Sequence, residues 1–186
     1  LTLVRVNPKT CQTANAADYD GINPLGSVPM LELDDGTRLR EGTVIVQYLA
    51  ELKPERDLTP PHGTLARYRL NEWLAFLSSE IHKGFIPLLY ATLAGRYVET
   101  AGPKLRRRFE WIDAQLRGGA WLMGDRFTVA DAYLFALIGW AQAPWLTTYV
   151  KTDLQLNDLD HLAAWYARMK RRPAVLNALT AEGLTH

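Results

Sequence analysis

Hydrophobic and polar positions divide the chain into a front part with strand-like alternation and a longer back part with helical spacing. Leu1-Thr2-Leu3-Val4-Arg5-Val6 alternates apolar and polar side chains and predicts a strand over 1–6. Residues 7–16 read as loop, and Ala17 to Ile22 as a short helix closed by Asn23-Pro24. Met30, Leu31 and Leu33 end a further strand, and Arg38-Leu39-Arg40 starts its return. Between them Asp34-Asp35-Gly36-Thr37 is tight-turn chemistry, because Gly36 takes positive φ without a Cβ clash. Glu41-Gly42 breaks the return strand, and Thr43 to Leu52 reads as a helix.

Lys53 to Gly63 carries Pro54, Pro60, Pro61 and Gly63 without apolar periodicity and reads as a linker. Beyond it everything predicted is helical. Leu70, Trp73, Leu74, Leu77 and Ile81 fall on one helical face, weakened near its end by Gly84 and Pro87. Gly95 to Pro103 reads as a break. Leu105, Phe109, Ile112 and Leu116 mark the next helix, ended by Gly118-Gly119. In Phe127-Thr128-Val129-Ala130-Asp131 the spacing of Thr128 and Asp131 predicts a capping box, a structural motif opening a helix with Leu134, Leu137, Ile138 and Ala141 on one face. Leu159, Leu162, Tyr166 and Met169 mark another helix stopped by Pro173, and Ala174 to Leu179 a last short one. No internal repeat or low-complexity segment is present.

Composition narrows the classes. With 186 residues, 48% hydrophobic and 22% charged, the chain has the balance of a soluble globular protein with a sizeable core. Its 21 basic and 20 acidic residues give no reason to expect nucleic acid or an anionic membrane as partner. No apolar run approaches the roughly 20 residues that span a bilayer, and Leu1 to Val6 lacks the features of a signal peptide. One cysteine, Cys11, cannot form an internal disulfide, so nothing ties the chain to an oxidising compartment. No CxxC or HExxH spacing occurs, and no metal is expected. Arg106-Arg107-Arg108 and Lys170-Arg171-Arg172 spread around helices and read as solvated faces.

The stretch 23–51 carries the chemistry. Unpaired N–H groups at a helix start hold a free carboxylate, and Gly42 and Thr43 would supply that end. A free amino group calls for a carboxylate, which Glu41 offers at the same point. Val28, just before Pro29, is placed to pair its main chain with an extended peptide. In its order, Asn23-Pro24-Leu25-Gly26-Ser27-Val28-Pro29, then Asp34-Asp35-Gly36, then Glu41-Gly42 before a helix, this stretch resembles the glutathione-binding half of the glutathione S-transferase family. The likeness continues in Glu80-Ile81-His82-Lys83-Gly84-Phe85 and Phe127-Thr128-Val129-Ala130-Asp131-Ala132-Tyr133, which look most like the bacterial beta class.

The resemblance implies an α/β thioredoxin-like N-terminal domain over 1–52, a linker over 53–63 and an all-helical C-terminal domain over 64–186. It implies glutathione as co-substrate, an apolar electrophile as second substrate and a homodimer. It also implies a cis Val28–Pro29 bond. His82 would lie near the glutathione sulfur and assist it, and an imidazole can donate a hydrogen bond or carry charge near neutral pH. Ser79, one helical turn earlier, would join it. Ala75 stands where the family often has Asn, so that contact would be gone. Cys11 stands where beta-class members often have a Lys touching the glycine carboxylate; the contact is either moved to Lys9 or lost.

In the family the first domain begins strand, helix, strand, and Leu1 to Val6 matches the second of those strands. The first strand and helix are therefore expected upstream, in a polypeptide about 30 residues longer. With them would come the Cys, Ser or Tyr that faces the sulfur. Alone, the 186 residues are expected to be poorly stable, because two inner sheet edges would stand unpaired. Two functions follow from this: a transferase conjugating the glutathione thiol to apolar electrophiles, or a glutathione-binding or interaction protein without transferase activity.

Overall fold

The computed structural model describes residues 2–7, 9–143, 154 and 156–184. Leu1, the first residue of the expected strand, and His186 lie outside them. The chain separates into two compact units, Leu1–Lys53 and Pro54–His186.

The first unit is built from two hairpins and two helices. β1 (Val6–Asn7) pairs antiparallel with β2 (Gln12–Thr13), Val6 opposite Thr13. Of the strand expected over 1–6, Val6 alone is in a strand among the described residues, and the expected loop contains its partner. The cause is local. Asn7 turns the chain: its Oδ1 accepts from the Lys9 N–H and its carbonyl from the Cys11 N–H, both at 2.9 Å. Leu3 and Val4 are 74% and 53% exposed, so the alternation upstream has no surface to cover it among the described residues. α1 (Tyr19–Ile22) begins at Asp18, whose carboxylate accepts from the Asp20 N–H. β3 (Met30–Glu32) and β4 (Arg38–Arg40) pair antiparallel with Leu31 opposite Leu39. Gly36 sits at φ +83°, as the turn requires. α2 spans Gly42–Glu51 and buries Ile45 and Ala50.

The second unit is helical. α3 (Leu65–Phe76) starts at Thr64, whose hydroxyl oxygen accepts from the Arg67 N–H. It does not run on to Ile81 as an α-helix. At Leu77–His82 the chain widens into a π-helical turn, then tightens to a 3₁₀ turn at Lys83–Phe85 before α4 (Ile86–Leu89). Leu77, Ile81 and Phe85 all remain fully buried through this change of pitch. α5 (Ala91–Ala94) follows, and then α6 (Val98–Leu116). The break expected over Gly95–Pro103 is shorter than its composition suggests, for α6 starts five residues before Pro103. Pro103 removes one backbone donor, but Ala101 and Gly102 are buried, so packing outweighs the local cost.

α7 (Val129–Gln142), α8 (Asp160–Met169) and α9 (Pro173–Ala181) follow among the described residues; Pro173, expected as a stop, also opens α9. The core joins Leu70 and Leu74 of α3, Leu105, Phe109 and Ile112 of α6, Leu134 and Leu137 of α7, and Trp165 and Met169 of α8. Burial of each such side chain is worth about 1.5–3 kcal/mol.

The capping box is present and goes further than its spacing predicts. Asp131 is fully buried; Oδ2 accepts from the Thr128 N–H, and Oδ1 from the Leu122 N–H and Trp165 Nε1–H, each at 3.0 Å. Burial pushes its carboxyl above the usual range, while these donors pull it back. The Arg106–Arg108 cluster is not simply solvated: Arg106 pairs with Glu110 at 3.0 Å and Asp158 at 2.8 Å, and Arg108 with Glu80 at 2.9 Å.

Candidate functional site

In the first unit the loop 23–29 is fixed from within. Asn23 is completely buried. Its amide Nδ2 donates to the Ser27 carbonyl at 2.7 Å, and its Oδ1 accepts from Arg40 Nε at 2.8 Å. Tyr19 Oη also donates to the Ser27 carbonyl, at 2.8 Å, and Arg38 donates to the Ile22 carbonyl at 2.9 Å. Two β4 arginines and two side chains from α1 and its end therefore hold the segment that leads into Val28. The Val28–Pro29 peptide is cis. Val28 is 63% exposed, and among the described residues its backbone N–H and C=O meet no partner.

The start of α2 is open. Glu41 takes φ +68° and its side chain caps nothing. The Glu41 carbonyl accepts from the Val44 and Ile45 N–H groups at 2.9 and 3.0 Å, so these two are satisfied. The N–H groups of Gly42 and Thr43 meet no acceptor among the described residues. A side chain on Gly42 would begin 3.6 Å from the Pro29 ring, so this helix start packs directly against the cis proline. The structure thus brings Val28, Pro29, Glu41 and Gly42 into one region. Lys9 and Cys11 lie together on the β1–β2 turn. Lys9 is exposed, and Cys11 is half-buried at φ +51°.

In the second unit His82 ends the π-helical turn. Its Nδ1 lies 2.7 Å from Tyr133 Oη of α7, and its ring meets the Trp140 ring edge-on at 4.8 Å. Burial, with the Lys83 charge second, holds its pKa below the ordinary histidine value. Ser79 lines a cleft of about 160 Å³ with Lys83, Tyr97 and Lys104, a cleft that His82 does not line. The expectation of one shared face assumes α pitch, whereas Ser79 and His82 both lie in the π-helical turn Leu77–His82. An open basin of about 630 Å³ lies elsewhere in this unit, lined by Arg56, Arg126, Phe127 and Arg172 among others. None of the residues expected from sequence lines it. Two of its arginines are engaged, Arg126 with Asp57 at 2.7 Å and Arg172 over the Phe127 ring at 3.7 Å.

Two family models match the chain: the glutathione S-transferase N-terminal domain over residues 2–52, and the glutathione S-transferase C-terminal domain over residues 76–173. The chain belongs to the glutathione S-transferase family. Among curated members it is 42% identical to glutathione S-transferase GstA of Escherichia coli O157:H7, over 98% of this chain and 87% of that one. Among solved members it superposes on BphK, a bacterial transferase described as a ternary complex, with a TM-score of 0.88 and 41% identity. That match covers 98% of this chain and 87% of BphK. A sphingomonad glutathione S-transferase complexed with glutathione gives a TM-score of 0.86 at 36% identity, with the same coverage. The expected thioredoxin-like first domain and helical second domain are those of the glutathione S-transferase fold.

Sequence reasoning missed two residues of this transferase-family chain. Asn23 was read only as a turn residue, and nothing in the sequence marks its burial. Tyr133 was read only as the tail of the capping motif. A signal for it existed: Tyr133 and Trp140 lie two helical turns apart, on one stripe of α7, and both touch His82.

Proposed function

We propose that this chain is a glutathione transferase that conjugates the glutathione thiol to apolar electrophiles. The observation that carries this reading is the open start of α2, where two unpaired N–H groups adjoin a carboxylate that caps nothing. Gly42 and Thr43 would take the α-carboxylate of the γ-glutamyl residue, and Glu41 the amino group of that residue. Val28 would pair main chain to main chain with the cysteinyl residue. Lys9, the basic residue nearest Cys11 in sequence, would take the glycine carboxylate in place of the family's Lys at the Cys11 position. Free thiols ionise at a pKa of about 8.5, so conjugation near neutral pH needs a group that favours the thiolate. His82 is that group, or one of them. Ser79, on its separate cleft, is kept only as a secondary contact.

The reading includes a homodimer acting in the cytoplasm without a metal. The single cysteine, which ties the chain to no oxidising compartment, supports the location; among the described residues no helix is long and apolar enough to cross a membrane. The deciding experiment pairs calorimetric titration of glutathione with a spectrophotometric assay using an activated aryl halide. Binding with turnover above the uncatalysed rate is expected. Binding without turnover would favour a glutathione-binding protein that is not a transferase. Light scattering on the same sample reads the dimer.

A further inference from the structure

We propose that the open basin of the helical unit binds an organic acid, one carboxylate carried on an apolar body, with Arg56 and Arg172 as its anion contacts. The proposal uses none of the residues assigned above to glutathione and does not depend on them.

Both walls of the basin are held by backbone bonds. On one side lies the turn Pro54–Arg56, where the Asp57 N–H donates to the Pro54 carbonyl at 3.0 Å. The next carbonyl, that of Leu58, accepts from the Val129 N–H at 3.1 Å, which ties this wall to the first residue of α7. On the other side Trp121 and Gly124 exchange two backbone bonds, of 2.8 and 3.0 Å. Gly124 sits there at φ +79°, and a Cβ on Gly119 would lie 2.7 Å from its Cα, so the loop is packed tightly on itself. A space of about 630 Å³ between fixed walls is in the size range of small-molecule sites.

The charges in the basin are unevenly paired. Three arginines and two aspartates line it, an excess of one positive charge. Arg126 is taken by Asp57 at 2.7 Å. Among the described residues neither Arg56 nor Arg172 has a hydrogen-bond acceptor or an ion-pair partner. Arg172 is nevertheless held in place: its guanidinium lies 3.7 Å from the centre of the Phe127 ring and 5.3 Å from that of Trp121. Stacking uses the face of the guanidinium and leaves its N–H edge, the fork that matches a carboxylate by two parallel hydrogen bonds. The excess of one charge suits a single carboxylate, and Asp125 on the same wall opposes a polyanion. Leu58, Met123 and Phe127 add half-buried apolar surface to the lining, which a bare ion would leave uncovered. The Lys170–Arg172 cluster, expected as a solvated face, thus lends one member to this site.

The test titrates the full ¹⁵N-labelled chain with hexanoate, with hexanamide as the neutral isostere and inorganic phosphate as the bare anion. Hexanoate is expected to give saturable shifts at the Leu58 and Phe127 amides and at Arg172 Nε–H, with a Kd of about 1 mM or below. Hexanamide and phosphate should each bind about tenfold more weakly. Arg56→Gln and Arg172→Gln should each weaken hexanoate about tenfold. Arg172→Gln also loses its stacking on Phe127; if that variant fails to fold, Arg56→Gln decides, because Arg56 is exposed and without a partner. The proposal is overturned by hexanoate that does not saturate these signals, by hexanamide that binds as tightly, or by an Arg56→Gln protein with unchanged affinity. Phosphate binding as tightly as hexanoate also overturns it, since the basin would then hold an anion without reading the body that carries it.

Discussion

Trp165 donates its indole N–H to Asp131 Oδ1 at 3.0 Å across 34 residues of sequence, tying the middle of α8 to the first turn of α7. The same carboxylate takes the backbone N–H of Leu122 and of Thr128. One side chain therefore satisfies donors from three segments of the helical unit.

Asp131→Ala would leave those donors buried without acceptors. At about 1–3 kcal/mol for each orphaned group, partly relieved by relaxation, a loss of about 3–5 kcal/mol is expected. Urea unfolding reads the loss. Glutathione affinity measured well below the transition should stay at the parental value; a stable variant that no longer binds would mean that Asp131 belongs to the ligand site.

Glu41→Ala should weaken glutathione binding by roughly 1.5–3 kcal/mol, the scale of a hydrogen bond to a charged group. A second substitution separates ligand from backbone. Glu41 sits at φ +68°, so Glu41→Gly relieves strain and should leave the fold as stable or slightly more so, while binding falls equally. Unchanged calorimetric affinity in both variants would remove Glu41 from the site.

Asn23→Ala tests whether the loop is held for the sake of Val28. It removes the acceptor of Arg40 Nε and one donor to the Ser27 carbonyl, at an expected cost of about 1–3 kcal/mol. Binding should weaken although Asn23 is buried away from any ligand. A variant that melts lower yet binds as tightly would show that the loop keeps its shape without Asn23.

His82 gives a pH dependence with a defined sign. Its pKa in the fold is lowered, first by burial and then by Lys83, so the unfolded chain takes the proton first. The stability linked to His82 is therefore present above the unfolded value of about 6.5 and is lost as pH falls through the folded value. NMR titration should place the His82 midpoint below 6.5, and acid sensitivity in that window should shrink in His82→Gln. A midpoint at or above the ordinary value would contradict a half-buried ring that favours its neutral form.

Much of the α2 region was legible because its signals are local. Gly36 in a turn, Glu41-Gly42 before a helix, and Thr128 three residues before Asp131 each act over one turn of chain. What was not legible comes from partners distant in sequence. Trp165 against Asp131 and Tyr133 against His82 depend on how helices pack, and no spacing encodes that. Pro103 inside α6 shows the reverse case, in which a strong local signal is overridden by burial of its neighbours.

The wide turn at Leu77–His82 acts as a phase shift in an otherwise periodic segment. A π turn holds an extra residue, and each α residue advances about 100°, so the extra one re-aims everything after it. Deleting one polar residue there, Ser78 for instance, would restore a single angular phase from Leu65 onward while scarcely changing composition. His82 would then swing off the Tyr133 stripe, and Phe85 would leave the core it now fills. Length at this point is therefore constrained independently of residue identity: the turn depends on the count of residues between Leu77 and His82.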